Sequence, residues 1–182
     1  MTHPAISFLG LLDPSRGAQF NIETYTDVSK GGSKPKPDVL AKRFPGLTIT
    51  DVEEVLPTLE THNARGAGVF VAVNQFNGQR NKTNLSRVRG VHADFDGVDQ
   101  NTLDTVRAIL CPTIEVQTSG PMNWHFYWLL HEGETMTPST AEDIHRHLVQ
   151  LGADPAAIDI TRLLRLPGFK HMKNQRGACN AG

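Results

Sequence analysis

The sequence predicts an α+β or α/β domain with a mixed sheet, and three features carry that expectation. Segments with strand periodicity alternate with segments of helical periodicity along the chain. A continuous apolar run, Val69-Phe-Val-Ala-Val73, follows the glycines at 66 and 68 and reads as a central strand. In the second half, two strand-like runs are separated only by Ser119-Gly-Pro-Met-Asn123, which predicts a hairpin.

Taken in order, residues 6–12 are apolar and read as a turn or two of helix packed on the core. Phe20, Ile22 and Thr24 alternate with Asn21, Glu23 and Tyr25, the pattern of a half-buried strand. Residues 29–37 form a basic loop without hydrophobic period, whose lysines can touch phosphate but read more simply as solvated. Thr50 and Glu53 fit a capping box, ahead of an apolar stripe of Val52, Val55, Leu56 and Leu59. Pro57 interrupts that stripe, which predicts a kink or two short helices. The glycines at 66 and 68 precede a strand rather than a helix, so they are not a dinucleotide fingerprint.

Residues 74–87 are polar, with a turn at Asn77-Gly78, and Arg80, Lys82 and Arg87 make them basic. Asn101 or Asp99 caps a helix over 102–110, and Pro112 starts a strand over 113–118. On the following strand, 124–130, Trp124, Phe126 and Trp128 share one face while His125 and Tyr127 share the other. Thr137-Pro138 opens a helix through Ala141, Ile144, His147, Leu148 and Leu151 that stops at Gly152. After Asp159 the chain is strongly basic, and 177–182 read as a frayed tail on a piece of a larger protein.

With 182 residues, the chain suits one domain or two small modules sharing a core. A net charge of −1 does not advertise a nucleic-acid partner, so any such surface is local. Two cysteines are too few for a disulfide framework or a four-cysteine zinc site, which makes a reducing, cytoplasmic setting the default. No apolar run approaches the ~20 residues that span a bilayer, so no membrane partner is expected.

The chemistry centres on Arg89-Gly-Val-His-Ala-Asp94-Phe-Asp96-Gly97, a buried strand ending in two acids and a glycine. His92, Asp94 and Asp96 fall on one strand face, where two neighbouring carboxylates repel each other. An oxygen-seeking Mg²⁺ or Mn²⁺ relieves that repulsion; hydration at a strand end is the plainer account. Two further clusters accompany the pair: His125 after a Ser-Gly turn, and Asp159 followed by Arg162 and Arg165. Each alone has an ordinary explanation, as a satisfied histidine, a helix cap or a solvated basic face. Together they supply what phosphoryl transfer from a nucleotide needs: carboxylates for metal, cations for the triphosphate, and in-line positioning.

These motifs, in this order and spacing, resemble the archaeo-eukaryotic primase superfamily in its RepB-like, phage and plasmid primase-polymerase branch. Val91-His-Ala-Asp94-Phe-Asp96 is similar to the first motif, hydrophobic-Asp-x-acid. Ser119 through His125 resembles the second, a serine-glycine turn leading to a strand histidine. Asp159-Ile-Thr-Arg162-Leu-Leu-Arg165-Leu-Pro-Gly168 on to Lys173 resembles the third. The resemblance covers about residues 18–175, including the strand and loop from Gly68 to Arg80.

That resemblance implies a small N-terminal α/β part (about 1–86) and an RNA-recognition-like part (87–176) with mixed or antiparallel sheets, together one catalytic core. It implies that Asp94, Asp96 and Asp159 bind two catalytic Mg²⁺ or Mn²⁺ ions. His125 and Ser119 contact the triphosphate, and Arg162, Arg165, Lys173 and Arg80 contact phosphates. The implied partners are nucleoside triphosphates and a single-stranded DNA template, with a helicase or helical domain elsewhere in the parent protein. The chain departs from the family in the turn before His125, where Pro121, Met122 and Asn123 stand in for glycines. It also has no Cys/His zinc cluster and no phosphate-binding Gly-x-x-x-x-Gly-Lys loop. Two rival classes use the same residues: a replication-initiation module that binds nucleic acid without synthesis, and a metal-dependent phosphodiesterase.

Overall fold

The computed structural model describes residues 1–28, 33 and 35–173. Most of the expected 29–37 loop, the last residues of the 87–176 part and the 177–182 tail lie outside the described residues.

Helix α1 (Pro4–Leu12) begins with His3 as its cap and proline in its first turn, and buries Ala5, Ile6, Phe8, Leu9 and Leu12. Strand β1 (Phe20–Thr26) follows, and it is buried on both faces rather than half-buried. The reason is a polar second face covered by partners: Asn21 donates to the Gly78 carbonyl, and Glu23 accepts from Arg80. β2 (Lys42–Leu47) has no strand-like alternation and contains Pro45, so its pattern did not announce it. It survives as an edge strand, with a register break between Phe20 and Ile22 opposite the Pro45-Gly46 step, where proline removes no needed bond.

Helix α2 (Ile49–Ala64) starts one capping frame earlier than expected. Thr48 accepts from the Asp51 amide and Asp51 accepts from the Thr48 amide, in place of the Thr50–Glu53 pair. The Thr-x-x-acid pattern occurs in both frames, and the earlier one is the one that closes. The helix is one element through Pro57, not two. Pro57 and Glu53 both lie on the exposed face, where the carbonyl that proline leaves unpaired is hydrated. β3 (Ala67–Ala72) is the inner strand that the apolar run predicts.

After the β4–β5 hairpin (Gln75–Phe76, Leu85–Arg87) comes β6 (Gly90–Asp96). Gly90 is required there, because a Cβ would stand 2.1 Å from the Trp128 carbonyl oxygen. α3 (Gln100–Ile109), capped by Asp99, leads to β7 (Ile114–Gln117), β8 (Asn123–Leu129) and α4 (Pro138–Gln150). β9 (Leu163–Arg165) closes the described chain.

Among the described residues three sheets result, in the orders β2-β1-β3-β9, β4-β5 and β6-β8-β7, and every ladder is antiparallel. No mixed sheet forms among the described residues: α2 joins β2 to β3 and α3 joins β6 to β7, and each pair runs the same way but is kept apart by an antiparallel strand, β1 or β8. β9, from the second half of the chain, returns to pair with β3 of the first sheet. One apolar core packs α1 and α2 on β1 and β3 and takes in Tyr127, Leu164 and Leu166. The second lies between β6–β8 and α3–α4. Buried Arg89 joins them: its Nε donates to Asp13 at the end of α1 at 2.6 Å, and it donates to the Gln19 carbonyl. Burial alone raises the Asp13 pKa, but hydrogen bonds from Ser15, Arg89 and Arg87 outweigh it and hold the carboxyl at about 2. No helix among the described residues is long and apolar enough to cross a membrane.

Candidate functional site

The antiparallel register of β6 and β8 sets Asp94 directly opposite His125, and Asp96 opposite Asn123. The first and second sequence motifs therefore meet side by side. Asp94 Oδ1 lies 3.6 Å from His125 Nε2, beyond a hydrogen bond. Nor is the contact an ion pair at neutral pH. Burial, then the positive charges of Arg165 and Arg162, hold the His125 imidazolium down to about 3. Tyr127 is fully buried, and desolvation followed by the Asp94 charge raises its phenol pKa, so it stays a donor. Its hydroxyl reaches His125 Nδ1 at 3.5 Å, and we assign the imidazole proton to Nε2, the nitrogen nearest Asp94. His125 is thus a neutral N–H donor rather than the cation the charge argument invites.

Asp94 is itself tuned. Its pKa rises to about 6, first through burial, then through the charges of Asp154 and Asp96; Arg162 and Lys173 pull the other way. Asp154 is a participant that no sequence motif singles out. It sits before the 3₁₀ turn Pro155–Ala157, its amide donates to the Asp94 carbonyl at 2.7 Å, and nothing in its local sequence points at Asp94. Only the packing of the α4–β9 connection along β6 brings the two together.

The second-motif turn is held without its glycines. The Asn123 amide donates to Ser119 Oγ at 2.7 Å, while its Oδ1 accepts from the Gly97 amide at 2.7 Å. Trp124 Nε1 closes the turn onto the Pro121 carbonyl. Asn123 therefore ties the second motif to the end of the first. It leaves the exposed Ser119 with its own O–H to donate.

The third motif lines a cavity of about 490 Å³ walled by Tyr25, Asp27, Phe70, Arg80, Asp159, Arg162, Arg165 and Lys173. Arg165 stacks over Phe70 at 4.9 Å and donates to buried Asp27 at 2.8 Å. Burial raises the Asp27 pKa, and bonds from Arg165 and the Met172 amide reverse the sign and keep it low. Asp27 and Phe70 belong to the polar side of the first sheet, whose alternation was visible in β1, but their tie to Arg165 was not. Arg162 has a buried Nε with no partner among the described residues. Arg80 is already committed, to Glu23 at 2.7 Å and to the Thr161 carbonyl at 2.7 Å. Its first role is to neutralise Glu23, so it differs from Arg162 in what it can offer a phosphate.

Asp159, the third expected ligand, lies at the start of the third motif. Its carboxylate accepts from the Thr161 amide at 2.9 Å and lines the cavity. No group of three or more His, Cys, Asp or Glu side chains is arranged to hold a metal ion among the described residues. A divalent cation fits the chemistry of two of the three expected ligands: Asp94 is partly desolvated and repelled by Asp96, and a bound cation reverses that repulsion.

Three solved structures share the fold. The primase RepB′ matches with a TM-score of 0.61 at 21% identity, over 93% of this chain and 51% of its own. This chain thus spans about half the length of that protein. The catalytic domain of primase RepB′, solved in complex with initiator DNA, matches at 0.62 and 20% identity, over 94% of this chain and 80% of its own. The archaeo-eukaryotic primase domain of the cyanophage S-2L primase-polymerase matches at 0.67 and 18% identity, over 93% and 83%. No curated protein matches the sequence. Residues 55–181, more than half of the chain, match the model of the RepB DNA-primase N-terminal domain. The chain belongs to that family.

Proposed function

We propose that this domain is a metal-dependent, template-directed nucleotidyltransferase that makes or extends primers from nucleoside triphosphates on single-stranded DNA. The observation that carries the proposal is the cross-strand pairing of Asp94 with His125 beside the charges of Arg162 and Arg165. Acid, neutral donor and fixed cations then share one site, as attack of a 3′-hydroxyl on an α-phosphate requires.

Asp94 and Asp96 would hold Mg²⁺ or Mn²⁺, and Asp159 would join them through the carboxylate oxygen that does not accept from the Thr161 amide. When bound, the metal lowers the pKa of the attacking hydroxyl and offsets charge on the triphosphate. The chain's own groups do the rest. His125 Nε2 and the Ser119 hydroxyl donate to phosphate oxygens, and neither brings a charge that must later be released. Arg162, Arg165 and Lys173 supply the fixed positive field, with Arg165 held in place by Asp27 and Phe70. Phe70 and Tyr25 give the cavity aromatic surface beside its cations, which suits a nucleotide or a single strand.

In this reading, residues 1–86 and 87–176 are two parts of one core that works in the cytoplasm. Any helicase or helical initiation domain is supplied elsewhere in the parent protein. The engagement of Asp159 with Thr161 favours a second reading, a replication-initiation module that binds nucleic acid without synthesis.

The test is incorporation of labelled nucleotides on a single-stranded template in Mg²⁺ or Mn²⁺, with and without an annealed primer. Wild type should form products that Asp94→Ala with Asp96→Ala abolishes, and growth without primer identifies a primase. A folded wild type that binds the strand but incorporates nothing selects the binding module. Cleavage of a labelled strand without nucleoside triphosphates selects a phosphodiesterase.

A further inference from the structure

β6 carries Asp94 and Asp96 yet lies at the edge of its sheet. An edge strand leaves backbone groups that must find other partners. A side chain and a loop stand in for the missing strand. The His92 amide donates to Nε2 of His145, from α4, at 3.2 Å. The Asp94 carbonyl accepts from the Asp154 amide at 2.7 Å. The His92 side chain then reaches the other way: its Nε2 lies 3.0 Å from the Ala157 carbonyl, two residues before Asp159.

Both imidazoles are 1% exposed and stack edge to face, with centroids 4.5 Å apart. The bonds fix their tautomers. His145 Nε2 accepts and so carries no proton, and His92 Nε2 faces a carbonyl and so carries one. An apolar pair would fill this volume without the desolvation that two imidazoles incur. What the histidines add is directional bonding: His145 ties α4 to the strand of the first motif, and His92 ties that strand to the turn that leads into the third.

We propose that His92 and His145 are positioning residues that hold the segment bearing Asp154 and Asp159 in register with Asp94 and Asp96. The pair thereby sets the separation of the two carboxylate-bearing segments. The proposal rests on the nucleotidyltransferase reading for its consequence, but its structural part can be read without it.

The test compares His145→Phe, which keeps a ring without an acceptor, with His145→Gln, whose side-chain oxygen can accept from the His92 amide. In the full chain, amide exchange of residues 90–97 and 153–161 is followed by mass spectrometry. Incorporation on a primed template is then measured against Mn²⁺ concentration. His145→Phe should exchange faster in both segments, and its half-saturating Mn²⁺ should rise about tenfold with a lower kcat, the scale of losing a group that orients a metal ligand. The KM for nucleotide should stay within about twofold, and His145→Gln should recover most of the loss.

A folded His145→Phe with wild-type exchange overturns the proposal. So does faster exchange with unchanged cation dependence and kcat, or a Gln variant no better than Phe. If wild type incorporates nothing, the enzymatic reading fails separately, and free-Mn²⁺ electron paramagnetic resonance decides the positioning role. Weaker Mn²⁺ binding by His145→Phe than by wild type supports it, and equal or equally absent binding overturns it.

Discussion

Asp94 on β6 and His125 on β8 are cross-strand partners whose nearest polar atoms stand 3.6 Å apart, and neither is in its ordinary ionisation range. The carboxyl is pushed up to about 6 and the imidazole down to about 3, in both cases chiefly by burial. At neutral pH the pair is a carboxylate beside a neutral donor.

The Asp94 shift makes stability depend on pH. Its folded pKa of about 6 lies above the ordinary 3.8, so the folded state binds the proton more tightly. The contribution is fully present below pH 3.8 and is lost as pH rises through 6. Asp94→Asn should therefore stabilise the apo domain by about 2 kcal/mol at pH 7.5, somewhat below full conversion of the shift because part of the carboxylate is hydrated. At pH 3.5 it should change little. Urea unfolding at both pH values measures this, and an equal effect at both would contradict it.

Asp154 is the largest charge acting on Asp94, so Asp154→Asn should lower the Asp94 pKa. The value should remain above the ordinary one, because burial persists. Carboxyl-carbon NMR titration of Asp94 reads this directly. No movement would show that Asp154 is solvated away from it.

Arg80 and Arg162 line the same cavity but should fail differently. Arg80→Gln leaves Glu23, 4% exposed, with the Tyr25 hydroxyl, and with Arg43 at 3.6 Å, but without its close cation, and should destabilise the fold by about 3 kcal/mol. Arg162→Gln should keep near-wild-type stability, weaken single-strand binding about tenfold, and reduce its salt slope by about one unit. Thermal melts and binding isotherms across salt separate the two, and a reversed pattern would refute the assignment.

Arg89→Met should cost more stability than either arginine substitution in the cavity, at about 3–5 kcal/mol, because it strands buried Asp13 without its main partner. Chemical denaturation gives the number. A loss under about 1 kcal/mol would mean that Arg87 and Ser15 suffice to hold Asp13.

Much of the site was legible because its chemistry is local. Strand alternation groups Asp94 with Asp96 on one strand and His125 with Tyr127 on another, and Thr137-Pro138 and Gly152 bound a helix by backbone chemistry alone. Where two local signals competed, the sequence could not rank them: Thr48 and Thr50 both head a capping pattern, and in the fold the Thr48–Asp51 box is the one that closes. Pro57 weighs on a helix only where its lost bond is buried, and burial is not a local property.

The sequence by itself determined the family, the element types near the motifs and the identity of the carboxylates, histidine and arginines. Those follow from periodicities and spacings within a few residues. Tertiary structure alone decided that Asp94 faces His125 rather than another β8 residue, because register is a relation between strands. It also decided that Asp154 bears on Asp94, and that Arg80 is committed to Glu23 and Arg165 to Asp27. Coulombic and desolvation effects depend on distance through space and on what excludes water, and both are fixed only when β9 and the α4–β9 connection fold back over the sheets.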